Sequence, residues 1–220
     1  MHTNSALLFD KYCLSLFNKD LKVLEIGPAG IPSAYFKQVG IPSIQWHTLD
    51  FSKSVYIQSL TSNLTYQTEN EYNFPIPDES YDIVLSGQVI EHVKMNWKWM
   101  KELKRITKPG GLIITISPVS WTYHEAPIDC WRIYPEGMRA LLEEAGLKEE
   151  LCIFETLEPK QFNFENSIPY YPSISTDAYI QLKYLPFIKC WNKMIKIIPK
   201  SKKLLVTLPV AYDTLTIARK

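Results

Sequence analysis

The sequence predicts a doubly wound α/β fold, a mostly parallel sheet with helices on both faces. Three observations predict it. Short bounded apolar runs recur along the chain, segments of helical period lie between them, and several runs end on glycine. Runs of about five residues read as buried strands. Strands alternating with helices imply crossover connections over both faces of one sheet.

The elements follow in order. A helical pattern covers residues 6–17, and the first strand, 21–26 (LKVLEI), ends at Gly27. A second helical pattern spans 31–39, and the next strand, 44–49 (IQWHTL), ends at Asp50. The run 81–85 (YDIVL) ends at Ser86 and Gly87 and precedes a helical pattern over 93–106. The run 112–116 (LIITI) follows a Pro-Gly-Gly turn and ends at Ser117. A helix over 135–145 opens with Pro135 in its first turn and closes at Gly146, the expected asymmetry of proline and glycine. Residues 151–154 and 215–218 read as two more strands.

Length and composition bound the functions. A chain of 220 residues suits a single domain, residues 1–220, with some elaboration. With 46% hydrophobic and 21% charged residues it is neither disordered nor a coiled-coil rod. Net charge is +1, so nothing overall announces a nucleic-acid partner. The balance is uneven: residues 1–157 carry 14 basic and 19 acidic groups, residues 158–220 carry 10 and 4. Four scattered cysteines without a CxxC pair suggest a reducing compartment. The N-terminus lacks a basic flank before an apolar core, and no run reaches a membrane span, so a cytoplasmic protein is expected.

The loop after the first strand reads Glu25-Ile-Gly27-Pro-Ala29-Gly30. A glycine here permits a sharp turn and close ligand approach. The loop has too few glycines for a pyrophosphate fingerprint, and the acid two residues before Gly27 points to a ligand carrying a cation.

This loop resembles motif I, (D/E)xGxGxG, of the class I S-adenosylmethionine-dependent methyltransferases. Glu25 and Gly27 match, with Ala29 and Ile31 in place of the later glycines. Further segments resemble the family in order. Asp50, with Phe51 after it, stands where an acid accepts hydrogen bonds from the ribose hydroxyls. Asn70, followed by Glu71, takes the position that reads the adenine amino group, ahead of the Pro75-Ile76-Pro77-Asp78 stretch. Ser86-Gly87 resembles the backbone lining the methionine end, and Glu91-His92-Val93 matches the family's E-H-V. The resemblance covers about two-thirds of the chain and extends to methyltransferase type 11-like proteins, including uncharacterised bacterial small-molecule and glycan methyltransferases. It implies a Rossmann-like sheet of seven strands with an antiparallel last strand, and S-adenosylmethionine as cofactor.

The implied reaction is methyl transfer to a small-molecule or glycan acceptor at a hydroxyl, which needs a base. Residues 117–135, after the fifth strand, concentrate the candidates. His124 is the expected general base, with Glu125 or Asp129 to orient it. Trp121, Tyr123 and Trp131 offer aromatic planes for a sugar or flat ring, and Arg132 either holds a substrate anion or pairs with Asp129. No metal site is expected. The segment 88–92 resembles the E-V-x-E-H with which some quinone-pathway O-methyltransferases hold a divalent cation, but Gln88 replaces the first acid and leaves a hard cation one carboxylate short.

Residues 158–211 read as an insertion before the last strand. Within 183–203 there are seven lysines and no acid, and about 187–198 read as a basic amphipathic helix. That stretch suits a membrane surface, a lipid-linked glycan, a dimer mate or the core. Two other readings of the whole are an N-methyltransferase and a non-catalytic S-adenosylmethionine-binding protein acting through a partner.

Overall fold

The computed structural model describes residues 3–51, 63–121, 123–125, 127–157, 190–191, 193–194 and 211–220. Its centre is β1 (Lys22–Ile26), four of whose five residues are buried. β1 pairs in parallel with β2 (Gln45–Phe51) on one side and β4 (Tyr81–Gly87) on the other. β3 (Tyr66–Thr68) extends the β2 edge, and β5 (Thr107–Pro118) pairs in parallel with β4. β7 (Asp213–Arg219) inserts antiparallel between β5 and β6 (Lys148–Glu155). The order β3-β2-β1-β4-β5-β7-β6 is the seven-stranded, mostly parallel sheet expected.

Alternation along the strands divides the core in two. Val23, Ile83, Leu85 and Ile114 pack on one face with Leu8 and Phe9 of α1 (Thr3–Tyr12) and Tyr35 of α2 (Ala34–Val39). Leu24, Val84 and Ile113 face the other way. They meet Trp99, Met100 and Leu103 of α3 (Asn96–Ile106), and Met138 and Leu142 of α4 (Pro135–Ala145). Because successive side chains of a strand point to opposite faces, a sheet covered on both sides needs apolar residues without a gap, as in Ile83-Val84-Leu85 of β4. Each large side chain so buried contributes roughly 1.5–3 kcal/mol.

The helix ends follow local chemistry. α4 begins at Pro135 and stops at Gly146, whose φ of 64° is left-handed. The Ser33 side chain accepts from the Phe36 N–H, so α2 starts at Ala34 rather than at the expected residue 31. α1 ends at Tyr12; the expected helix to residue 17 tightens into a 3₁₀ turn at Leu14–Leu16. The turn expected at 108–111 is an irregularity inside β5, with the β4 register jumping between Tyr81 and Ile83. β3 was not anticipated from its own residues.

The insertion at 158–211 and the basic helix at about 187–198 lie almost entirely outside the described residues. Cys190, Trp191, Lys193 and Met194 are helical and exposed. Among the described residues no helix is long and apolar enough to cross a membrane.

Candidate functional site

Crossover connections leave the C-terminal ends of β1, β2, β3 and β4 side by side at one edge of the sheet. The candidate cofactor residues gather there. At the end of β1, buried Glu25 accepts from the Ser33 hydroxyl and from Trp46 Nε1 at 2.9 Å. Burial pushes its carboxyl up to about 7, partly offset by those two hydrogen bonds. Gly27 has a φ of 71°, and a Cβ there would collide with Val89 Cγ2, just beyond β4. Only glycine allows both the turn and this approach of the two strand-end loops. Its N–H bonds the Leu49 carbonyl at 2.9 Å, which ties the loop to β2. Ala29 is exposed, and a Cβ at Gly30 would meet nothing within 4 Å, so the loop's far side is open.

Asp50 is buried, and its Oδ1 accepts from the Phe51 N–H at 2.8 Å. The Phe51 ring stands 6.2 Å from that of Phe74, which is core rather than surface. Among the described residues, Ser86 Oγ at the end of β4 is buried without a hydrogen-bond partner. A Cβ on Gly87 would collide with the Tyr35 hydroxyl, which is buried and likewise lacks a partner among the described residues. Asn70 follows β3 but is exposed, and its Oδ1 accepts from the Tyr72 N–H at 2.9 Å, with Glu71 half-buried beside it. Asn70 therefore closes an Asx turn with the oxygen that was expected to read a base.

Beyond β4 the chain passes Gln88, at a φ of 60°, into a 3₁₀ turn at Ile90–His92. Gln88 Nε2 donates to Ser5 Oγ at 2.9 Å and to Asp213 Oδ1 at 3.1 Å. Asn4 Nδ2 donates to Asp213 Oδ2 at 2.8 Å. An acid at 88 would face the Asp213 carboxylate, so the amide fits where a second acid would repel. Sequence reasoning missed Asn4, Ser5, Tyr35 and Asp213. Each is a single polar residue in an ordinary element, and the network spans 209 positions from Asn4 to Asp213.

The segment after β5 folds back onto that turn. Cys130 and Trp131 both donate their N–H groups to the Glu91 carbonyl, at 2.8 and 3.2 Å. His124 comes to rest beside His92, ring centroids 5.0 Å apart and edge-on. Asp129 orients it: Asp129 Oδ2 accepts from the His124 N–H at 2.8 Å and lies 3.4 Å from His124 Nδ1. Burial raises the Asp129 pKa, but the guanidinium of Arg132 outweighs it and holds the carboxyl below its usual value. Arg132 grips both oxygens, at 2.5 and 2.7 Å. Of the two expected roles, the ion pair with Asp129 is the one seen here. Glu125 is exposed and accepts from the Tyr123 hydroxyl at 2.7 Å, while Asp129 is the acid with the backbone contact to His124. Trp121, Tyr123 and Trp131 remain partly exposed as an aromatic surface, with Trp131 Nε1 anchored to the Val93 carbonyl at 2.9 Å. Candidate ligand atoms of Glu91, His92 and His124 all lie within 4.8 Å of one another.

Residues 24–115 match the methyltransferase domain family. A Mycobacterium bovis protein described as an uncharacterized methyltransferase is 50% identical over 40 residues, 18% of this chain and 16% of that protein. The match thus spans about a sixth of the curated relative's length. A SAM-dependent methyltransferase from Archaeoglobus fulgidus superposes with a TM-score of 0.55 at 17% identity, covering 98% of this chain and 93% of that one. Phosphoethanolamine N-methyltransferase 2 of Haemonchus contortus, solved with S-adenosyl-L-methionine, gives 0.56 at 16%, covering 99% and 52%. Residues 24–115 thus match a methyltransferase domain, and the strand order and motif order around them are similar to those of the class I S-adenosylmethionine-dependent methyltransferases.

Proposed function

We propose that the protein transfers a methyl group from S-adenosylmethionine to a hydroxyl of a small-molecule or glycan acceptor. The observation that carries this reading is the clamping of an acid–imidazole group, Glu91, His92 and His124, just past the end of β4. The residues present fit the cofactor: Gly27 permits close approach, Ser86 Oγ is a buried polar atom awaiting a partner, and Asp50 offers a carboxylate at the next strand end. Glu25, Gly27, Ala29, Gly30, Asp50, Phe51, Ser86 and Gly87 would hold it, with Asn70 and Glu71 at the adenine end. When bound, the cofactor supplies an electrophilic methyl on a positively charged sulfur.

The chain's own residues do the rest. Asp129 and Arg132 fix the loop that carries His124. His124 receives the acceptor's proton, and Trp121, Tyr123 and Trp131 hold the acceptor's flat faces and exclude water. A second reading, an amine acceptor, is favoured by the buried carboxyls of Glu91 and Asp213 beside the same space. The chain is read as one catalytic domain whose 158–211 insertion serves the acceptor side, with 183–203 meeting a membrane surface or dimer mate. The free thiols of Cys13, Cys130, Cys152 and Cys190 suit a cytoplasmic location.

The test is S-adenosylhomocysteine release with sugars, nucleotide-sugars, phenols and amines as acceptors. Turnover on a hydroxyl acceptor that falls at least ~10²-fold in His124→Ala supports the reading. Turnover on amines alone transfers the claim to nitrogen. Cofactor binding without turnover on any acceptor, unaffected by His124→Ala, points to the non-catalytic reading.

A further inference from the structure

We propose that Glu91, His92 and His124 form a binding site for a divalent transition ion of the Zn²⁺ or Co²⁺ kind. Their donor atoms converge within 4.8 Å from two segments that the Cys130 and Trp131 N–H groups tie together at the Glu91 carbonyl. The carboxyl of Glu91 is fully buried, and among the described residues neither oxygen has a hydrogen-bond partner from another residue. A buried acid left in this way is costly unless something absent from the protein itself meets it. His92 Nε2 lies 3.7 Å from Glu91 Oε1, too far for a hydrogen bond. That gap is close to the ~3–3.5 Å between two ligands that share one ion at about 2.1 Å each.

The surroundings fix the ligands as metal sites do. His92 Nδ1 meets the Ile128 carbonyl at 2.5 Å. A carbonyl only accepts, so Nδ1 carries the hydrogen and Nε2 keeps its lone pair on the Glu91 side. The carboxylate of Asp129 lies against His124 and is itself held by Arg132. Two imidazole nitrogens and one carboxylate oxygen suit borderline ions and leave positions open; Mg²⁺ and Ca²⁺ prefer oxygen donors. The missing acid at Gln88 argued against a hard cation from sequence spacing. The third ligand comes instead from His124, 32 positions past His92.

The inference deepens the proposed function. Held by these residues, such an ion would make an acceptor hydroxyl more acidic, so that its proton would leave to solvent water and His124 would serve as a ligand. Ion binding itself needs neither cofactor nor acceptor.

The test uses the full chain, stripped with a chelator and titrated with Co²⁺ under visible absorption. One equivalent should bind, with d–d bands and without the near-ultraviolet band of thiolate ligation. Zn²⁺ should displace it, and Mg²⁺ should not. His124→Ala, in a partly exposed loop, should weaken binding at least ~10-fold, and Glu91→Gln more, with circular dichroism checking the fold of each. No Co²⁺ bound at millimolar concentration, or binding retained by His124→Ala, overturns the site. S-adenosylhomocysteine titration of the stripped protein separates the two claims: cofactor binding without metal sinks only the ion, and metal binding without cofactor sinks only the proposed activity.

Discussion

Glu25 and Asp129 are both acids in strongly shaped surroundings, and they respond in opposite directions. Asp129 has a guanidinium against it and titrates low; Glu25 has only a hydroxyl and an indole N–H, and titrates high. The sign for stability follows. Between its ordinary 4.5 and about 7, Glu25 keeps its proton in the folded chain after the unfolded chain has lost it. The folded state therefore binds more protons there, and stability falls as pH rises through that window, by on the order of 3 kcal/mol in full. Urea unfolding of the chelator-treated protein across pH 5–8 should show this decline, and Glu25→Gln should make it shallower, the part that remains coming from Glu91, whose carboxyl is pushed up by burial to about 8. At Gly27, alanine meets both a left-handed φ and Val89. We expect Gly27→Ala to lose about 1–3 kcal/mol in thermal unfolding, with cofactor affinity falling as the β1 and β4 loops are forced apart.

The elements differ in how plainly the sequence announced them. α4 carries its own start and stop, Pro135 and Gly146, and forms between them. α1 was over-extended because the apolar period runs on through Leu14, Leu16 and Phe17 while the backbone tightens to 3₁₀. β3 has three residues on an edge, too few to show a period, and it exists because β2 offers a ladder at Leu49, Asp50 and Phe51. α3 shows what its buried stripe is worth. Trp99 is fully buried, yet its indole N–H has no hydrogen-bond partner. Trp99→Ala should cost about 3–5 kcal/mol by denaturant unfolding. Trp99→Phe should cost distinctly less, because it also removes the unsatisfied donor. In the loop after β5, Arg132→Ala strips the partner from a nearly buried Asp129 carboxylate. A loss of about 2–4 kcal/mol is expected, with faster proteolytic cleavage between residues 119 and 134.

At the scale of the molecule, the fold was legible because its parallel strands are short, buried on both faces and punctuated by glycine. That the candidate cofactor residues would gather was legible for the same reason: Glu25, Gly27, Asp50 and Ser86 each lie at a strand end, and parallel topology puts strand ends together. The acceptor half was legible only as an inventory. That His124 would meet Glu91 and His92, with Asp129 against it, depends on a loop folding back across 32 positions. The closure of Asn4 and Ser5 over Asp213 joins the two ends of the chain, and no local pattern encodes it. The central claim, that these strand ends cradle S-adenosylmethionine, is tested most directly by calorimetric titration with S-adenosylhomocysteine, wild type against Asp50→Ala. The account predicts binding at about 1–100 μM, weakened more than ~10-fold, or about 1.4 kcal/mol, in the variant. A folded wild-type protein that shows no binding at millimolar ligand, or a variant that binds equally well, would contradict it.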